Sequence, residues 1–295
     1  MTTTVEARPA AVRPSGPVAT KRRRAWRIAA IVLVILGVVV FSANTLWALS
    51  TSLKAPDDIL AYPPSLIPSP VSFDSYARVL DGQFLRWILN SLIVAVGTVV
   101  VVLGVSIPAA YGATRFQFRG QTALLFVILA GMAVGQVATV VPFYFLASRL
   151  GLIDTYVVLI LVYSVWMTPL SVWLLRGYFK SIPVSLDEAA MLDGCSRFRA
   201  MLRVVVPLAR PGVAAAALIV FVYAWNEFIL AVALTMSDSM RTVPVGLHMF
   251  LATYGVDWGA ISAGSIVSLL PVLMLFLVLQ RQFISGLTAG TLGSQ

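Results

Sequence analysis

Long apolar runs alternate with short polar segments along most of this chain of 295 residues. An α-helix needs about 20 mostly apolar residues to cross the hydrocarbon core of a bilayer. Runs of that length predict membrane-spanning helices at residues 26–49, 88–111, 123–147, 156–175, 212–235 and 261–279. The expected fold class is therefore an all-α polytopic membrane protein with six transmembrane helices. Residues 26–285 form one transmembrane domain, flanked by a disordered basic tail at 1–25 and a C-terminal tail at 286–295.

Composition agrees with a membrane protein and excludes an ordinary soluble domain. Hydrophobic residues make up 59% of the chain and charged residues 11%, and the mean hydropathy is +0.92. Values this apolar fall outside the range of soluble globular domains. The lone cysteine, Cys195, forms no internal disulfide.

The net charge of +9 indicates orientation rather than nucleic-acid binding. Most of the 21 Lys and Arg residues cluster before the first span, after the second span and around residues 176–210. Cytoplasmic segments of membrane proteins carry such an excess. Both termini and the segment at 185–210 are therefore predicted to be cytoplasmic. The basic N-terminal run is expected against anionic lipid headgroups, and no nucleic-acid partner is expected.

A polar segment at 185–210 lies between the fourth and fifth predicted spans. Pro183 and Ser185 predict the start of a helix within it. Asp187 and Glu188 would then lie in the first turn, where the positive end of the helix dipole favours a carboxylate. A membrane protein has no evident need for so ordered a helix in water, which suggests that it has a function of its own.

The residues that follow Glu188 predict a docking surface. Ala189 and Ala190 leave a smooth face that another protein could approach closely. Gly194 predicts that the helix ends or turns tightly, because glycine adopts conformations that other residues resist. The alternative is a solvated amphipathic connector with no partner.

The spacing of this segment resembles the EAA loop of ABC importer permeases. That loop reads E-A-A, three residues, G, nine residues, then I-x-L-P. The usual Ile and Leu are replaced by Val204 and Val206 here, and both changes keep an aliphatic side chain. The residues that match outright are Glu188, Ala189, Ala190, Gly194 and Pro207.

The resemblance extends beyond this loop, to the carbohydrate uptake transporter-1 family and its maltose-type importers. AAYGATR at 109–115, Asn90-Ser91, WNEF at 225–228 and GLTAG at 286–290 are similar to sequences found at corresponding places in those permeases. The last five residues, TLGSQ, depart from the usual tail, which puts any role of the extreme C-terminus in doubt.

The resemblance implies a set of partners and a location. A second homologous permease, two ATPase subunits and an extracytoplasmic solute-binding protein would complete the importer in a prokaryotic cytoplasmic membrane. Its substrate would be a carbohydrate or a sugar derivative. Glu188 would make the charged contact with the ATPase, Ala189 and Ala190 would permit close packing, and Gly194 would set the turn.

Sequence motifs for catalysis in this chain are missing. No G-x-x-x-x-G-K-[ST] sequence occurs, so ATP and Mg²⁺ are expected on a separate ATPase. The sequence offers no His/Cys cluster for a metal. Its lone histidine, His248, offers no base for a hydrolase triad. The chain is therefore expected to be a non-catalytic transport subunit without a cofactor of its own.

Four residues within the predicted spans are candidates for the translocation pathway: Gln136, Tyr223, Asn226 and Glu227. An acidic residue inside a span is costly, so Glu227 is a functional candidate by default. The alternative for Glu227 and for Gln136 is a hydrogen bond between helices. Tyr223 could stack on a sugar or simply pack.

Two function classes are compared. The first is the ABC importer permease, for a carbohydrate or alternatively for a glycerol-phosphate-type solute. The second is a proton-coupled secondary transporter in which Glu227 titrates. The second class lacks a paired base for the relay and leaves the segment at 185–210 without a function, so the importer is preferred.

Overall fold

The structure, a computed structural model, describes residues 17–80, 82–116, 118–251 and 256–292, and within them the side chains of residues 26–280. This part of the chain is helical and contains no strand. A 3₁₀ turn at Gly131–Ala133 and a π-helical turn at Met201–Val205 join some of the elements. The α-helices are α1 (Pro17–Ser52), α2 (Pro56–Ile59), α3 (Asp74–Leu80), α4 (Phe84–Arg115), α5 (Gln121–Ala130), α6 (Gln136–Arg149), α7 (Tyr156–Lys180), α8 (Val184–Leu192), α9 (Arg197–Ala200), α10 (Val206–Leu208), α11 (Arg210–Asn226), α12 (Ile229–Leu234), α13 (Val243–Met249) and α14 (Trp258–Leu292).

Four of these helices are long and apolar enough to cross a membrane: α1, α4, α7 and α14. Two further stretches meet the same test only as bent pairs. Residues 121–149 bend by 94°, and residues 197–226 bend by 83°. The described chain therefore has four spans, or up to six if each bent pair crosses once. This confirms the predicted all-α, multi-pass class.

The third predicted span, 123–147, is not one continuous helix. It divides into α5 and α6, with the 3₁₀ turn and an extended Val134 between them. Gly131 begins the 3₁₀ turn, and Gly135 precedes α6 in an extended conformation. Glycine weakens a helix because it loses more backbone freedom on folding than other residues. Hydropathy alone does not reveal such a break.

The fifth predicted span, 212–235, is also interrupted. Helix α11 ends at Asn226 and α12 begins at Ile229, with Glu227 in an extended conformation between them. A long apolar pattern continues across this position, which is why the sequence predicts a single helix. The side chain of Glu227 supplies the physical reason for the break, as described below.

The helices at both ends of the chain extend into the predicted tails. Helix α1 begins at Pro17, so residues 17–25 of the predicted disordered tail are helical. Proline suits the first position of a helix, and the Lys and Arg residues that follow are good helix formers. Helix α14 likewise continues to Leu292, past the predicted boundary at 286. Residues 1–16 and 293–295 lie outside the described part.

By its internal contacts the chain divides into two units, residues 1–48 and 49–295. The first unit is formed mainly by α1. The second unit contains the hydrophobic core, in which α4 packs along α7 and both contact α11. Val94, Leu159 and Tyr163 are fully buried there. This packing fixes the helices on which the polar sites described below are built.

Asn90 and Ser91, noted in the sequence as part of a resemblance, have a structural function. Asn90 Nδ2 donates to the carbonyl oxygens of Ser239 (2.9 Å) and Arg241 (2.8 Å), and its Oδ1 accepts from Tyr156 Oη at 2.8 Å. Ser91 Oγ accepts from the backbone N–H of Val243 at 2.8 Å. The pair therefore anchors the connection between α12 and α13 to α4.

Candidate functional site

Helix α8 has one buried and one exposed side near its N-terminus. The helix begins directly after its N-cap residue, Pro183. Asp187, in the first turn, has 2% of its surface exposed. Glu188 and Ala189 are exposed and Ala190 is half-buried. The helix predicted from the sequence is present, with Asp187 but not Glu188 in its first turn, and Glu188 and Ala189 are exposed.

Gly194 ends α8 in a tight turn. Its φ of +84° lies in the left-handed region, which costs a residue with a Cβ atom free energy. The N–H of Cys195 donates to Ala190 O, and the N–H of Gly194 donates to Met191 O, each at 3.0 Å. These two bonds are the Schellman arrangement that commonly closes a helix. The predicted turn at Gly194 is confirmed.

After this turn the chain returns to the bundle through short helical pieces. Ser196 Oγ accepts from the N–H of Arg199 at 3.4 Å and so begins α9. Pro207 lies in α10, directly after the π-helical turn at Met201–Val205. Large apolar side chains remain on the surface here, with Leu192 89% and Phe198 63% exposed. The segment thus combines an exposed acid with exposed apolar groups.

A buried ion pair fastens α8 to the end of α4. Arg115 Nε donates to Asp187 Oδ2, and the two side chains are 4% and 3% exposed. Arg115 also donates through Nη1 to Phe179 O at 3.4 Å and through Nη2 to Ile182 O at 3.1 Å. One guanidinium therefore connects the C-terminal ends of α4 and α7 with the first turn of α8.

Glu227 lies at the break between α11 and α12 and is 6% exposed. Its Oε1 accepts from the N–H of Leu230 at 2.8 Å, and its Oε2 accepts from the N–H of Ala231 at 3.0 Å. The first N–H groups of a helix have no partner within the helix, and a carboxylate there is favoured by the dipole. Glu227 therefore stabilises the start of α12, which explains why α11 and α12 are separate helices.

Gln136 joins the same site from the other broken stretch. It is the first residue of α6, and its Nε2 donates to Glu227 Oε1 at 2.7 Å. The interrupted stretches predicted as spans three and five thus meet through these two side chains. The sequence named both residues as candidates and the structure brings them together, in the arrangement of a hydrogen bond between helices.

The other two pathway candidates differ from each other. Tyr223 packs on Tyr163 of α7, with ring centroids 6.1 Å apart at 84°. The hydroxyls of both tyrosines are buried without a hydrogen-bond partner among the described residues. Asn226 is exposed, and its Nδ2 donates to Val222 O of its own helix at 2.7 Å. Tyr223 therefore lies inside the bundle, whereas Asn226 has no bond to Glu227.

Sequence reasoning missed the pairing of Arg115 with Asp187. The sequence places Arg115 only at the end of the second span, and Asp187 only in the first turn of a helix. The two residues lie 72 positions apart, so no local pattern links them. The one available signal is that an acid next to Glu188 in the first turn could face either the partner or the bundle.

A comparison with protein families identifies the chain. Residues 101–287 match the family described as binding-protein-dependent transport system inner membrane component. The chain belongs to this family. The matched residues include the whole of α8, the turn at Gly194, and both Gln136 and Glu227.

Individual relatives match most of the length of this permease. The probable ABC transporter permease protein YurM of Bacillus subtilis is 33% identical, over 92% of this chain and 91% of the relative. The trehalose/maltose transport system permease protein MalG of Thermococcus litoralis is 33% identical, over 90% and 96%. The diacetylchitobiose uptake system permease protein NgcG of Streptomyces coelicolor is 34% identical, over 88% and 86%.

The fold matches solved importers. A chain of a bacterial ABC transporter involved in the import of the acidic polysaccharide alginate superposes with a TM-score of 0.74 at 25% identity, over 88% of this chain and 97% of the other. This protein is thus an ABC importer permease subunit and not a proton-coupled secondary transporter. The function class preferred from the sequence is confirmed.

Proposed function

We propose that this permease carries a carbohydrate or sugar derivative into the cell, driven by a separate ATPase that docks on α8. The observation that carries the proposal is the exposed face of α8. Glu188 and Ala189 are open there, while the neighbouring Asp187 is buried in the bundle. Because the buried Asp187 fixes the helix, its exposed face presents a carboxylate and a small side chain to an approaching protein. A charge-assisted contact from an ATPase Arg to Glu188 would be short and directional.

The ATPase binds ATP and Mg²⁺ and performs the hydrolysis, since this chain contains no sequence for a phosphate-binding loop. Two ATPase subunits, a second homologous permease and an extracytoplasmic solute-binding protein complete the assembly. The alginate importer has been solved in complex with a pentasaccharide-bound periplasmic protein, which supports a partner of that kind. Closure of the ATPases would shift α8 and move the helices attached to it as rigid bodies.

Orientation follows from the charge distribution. The ends of α4 and α7, together with α8 to α10, lie on the cytoplasmic side of a prokaryotic cytoplasmic membrane. Arg115, Arg176, Lys180, Arg197, Arg199 and Arg203 all belong to this side, as the excess of basic residues in cytoplasmic segments requires. Labelling Cys195 with an impermeant thiol reagent tests the placement, and reaction from the outside alone would contradict it.

The substrate class is supported by the relatives. Their names specify trehalose or maltose, diacetylchitobiose and sulfoquinovosyl glycerol, each of which contains a sugar. Binding of a panel of glycans and glycerophosphodiesters to the partner solute-binding protein tests the class. We expect a glycan to bind, and selective binding of a glycerophosphodiester would contradict the proposal.

The docking function is tested by Glu188→Gln, which removes the charge and keeps the shape. Losing one partner of a partly buried charged contact costs about 3 kcal/mol, equivalent to about 100-fold in association. The matched control is Asp193→Asn. Asp193 is also an exposed acid, but it is the C-cap residue of α8, five positions beyond Glu188.

ATPase association, measured by co-purification and titration from membranes, should fall for Glu188→Gln and stay within about threefold for Asp193→Asn. Both variants should insert normally, since neither residue lies in a span. Equal association of Glu188→Gln and the unmodified chain would exclude α8 as the charged docking site.

The intramembrane residues are proposed to form a gate rather than a strong sugar site. Glu227 and Gln136 hold two broken helices together, so a change in their bond would open the bundle at this point. Tyr223 lies one turn from Glu227 and lines the same interior. Asn226, exposed on α11, would face the pathway or the second permease.

Uptake by Glu227→Gln should fall about tenfold with assembly intact, and normal uptake would assign Glu227 to packing alone.

A further inference from the structure

The connection between α8 and the bundle depends on a buried pair of opposite charges. Arg115 and Asp187 are both less than 5% exposed. Arg and Asp are almost never buried in proteins unless they are paired. Asp187 immediately precedes the exposed Glu188, so two adjacent acids of α8 face in different directions. One carboxylate is turned to the bundle and the next is available to the ATPase.

Arg115, which lies at the end of α4, also joins this helix to the C-terminal end of α7. Its Nε contacts Asp187, while Nη1 and Nη2 contact the carbonyl oxygens of Phe179 and Ile182. A guanidinium is planar and its donors point in fixed directions. A cation is also favoured by the dipole at the C-terminal end of α7. The side chain therefore fixes the relative positions of α4, α7 and α8.

We propose that Arg115 and Asp187 are positioning residues that transmit the movement of α8 to α4 and α7 during each cycle of ATP hydrolysis. The proposal rests on the docking of the ATPase at α8. A force applied to the exposed face reaches the spans only through the attachments of α8 to the bundle. Directional charged bonds resist sliding, whereas apolar contacts between smooth surfaces permit it.

Apolar contacts at the same end of the bundle serve a different purpose. Phe179, Ile182, Met201 and Val205 form a buried cluster there. Burial of such side chains stabilises the fold without specifying one direction of movement. Removal of the ion pair should therefore leave the fold intact and weaken the mechanical connection. This separates a positioning function from a purely structural one.

The decisive variant is the double substitution Arg115→Met with Asp187→Leu. It removes both charges together, so no unpaired charge is left buried, and apolar replacement of a buried pair is often neutral for stability. The importer containing the full chain is reconstituted in liposomes with its ATPase and solute-binding protein. Three quantities are measured: ATPase association, thermal unfolding, and solute transported per ATP hydrolysed.

We expect normal association and unfolding of the double variant, with the transported solute per ATP reduced at least tenfold. Asp187→Asn keeps an oxygen that accepts from Arg115 and should lose less than threefold. Arg115→Lys keeps the charge but loses the planar fork, and should fall between the two. A structural role alone would not produce this order in the transport ratio.

A double variant with an unchanged ratio of solute to ATP would overturn the proposal. So would a loss of uptake that only follows a loss of assembled importer. If the double variant does not assemble, the ratio for Arg115→Lys decides, and an unchanged value again overturns the proposal. Glu188→Gln identifies the other failure: if it keeps both ATPase association and uptake, the docking site is wrong, whatever Arg115 does.

Discussion

Two buried carboxylates in this permease hold separate pieces of chain together in opposite ways. Asp187 is compensated by a full positive charge, the guanidinium of Arg115. Glu227 is compensated by a neutral amide and by the two N–H groups at the start of α12. An isolated buried charge is very costly. The two sites show that helix-end N–H groups and an amide can perform the same compensation as an opposite charge.

The difference has mechanical consequences. The partner of Asp187 lies on another helix, α4, so the pair connects helices without defining either of them. Two of the three partners of Glu227 lie within the next four residues, so this carboxylate determines where α12 begins. Damage at Asp187 should therefore disconnect intact helices, and damage at Glu227 should destabilise a helix.

The largest effect is expected for Glu227→Ala. It leaves the buried N–H groups of Leu230 and Ala231 without partners, and it also removes the acceptor of the half-buried Gln136 amide. Each unsatisfied group costs about 1–3 kcal/mol, so the free energy of unfolding should fall by about 3 kcal/mol or more. Thermal unfolding of the purified permease in detergent measures the loss.

Asn226→Ala is the matched control for this prediction. The two residues are adjacent, but Asn226 is exposed and donates only to its own helix. Its replacement should change the free energy of unfolding by less than about 0.5 kcal/mol. Equal destabilisation by the two variants would show that the break between α11 and α12 does not depend on the carboxylate.

The fold was predictable from sequence where apolar length alone decides the outcome. Spans two and four have observed helices that begin within a few residues of the expected starts, at Phe84 and Tyr156. Spans three and five were wrong as continuous helices. The break in span five depends on Glu227, whose partner Gln136 lies 91 positions away and meets it only in the folded bundle. Hydropathy records neither the bend nor the contact.

The candidate site was predictable to a similar degree. A helix and a glycine turn follow from local sequence, because caps and left-handed turns are properties of neighbouring residues. The exposure of Glu188 and the burial of Asp187 do not follow, since both acids suit the first turn equally well. Only the position of Arg115 on another helix distinguishes them.

An intermediate effect is expected for substitution of Gly194. This residue shapes the turn after α8, whereas Asp187 attaches α8 to the bundle. A Cβ atom at this position would have no atom within 4 Å, so any effect of substitution comes from the positive φ. Gly194→Val should cost about 2 kcal/mol in backbone strain. Because the strain acts on the docking turn alone, ATPase association should weaken about 30-fold.

Gly194→Asn is the control, because asparagine tolerates the left-handed region. Its ATPase association should stay within about threefold of the unmodified chain. A similar loss for Asn and Val would mean that the ATPase contacts the glycine surface directly, and that strain is not the cause.

The smallest effect concerns a third carboxylate, Asp154, which accepts at Oδ1 from the N–H groups of Met236 (2.8 Å) and Ser237 (3.1 Å). Burial tends to raise its pKa, but the hydrogen bonds from Ser237 and Met236 outweigh burial and hold the pKa below the ordinary value of 3.8. A carboxylate whose pKa is lower in the folded than in the unfolded protein stabilises the fold at pH values above the unfolded pKa. This stabilisation disappears as the pH falls through the folded pKa.

Asp154→Asn isolates this charge, because the residue has a φ of 62° that asparagine also adopts. Asp154 is partly exposed, so the substitution should lower the free energy of unfolding by about 1 kcal/mol or less at pH 7. The difference between the two proteins should shrink as the pH falls below about 4. Thermal unfolding measured from pH 7 to pH 3 tests the prediction. A difference that stays constant over this range would show that Asp154 acts through its shape and not through its charge.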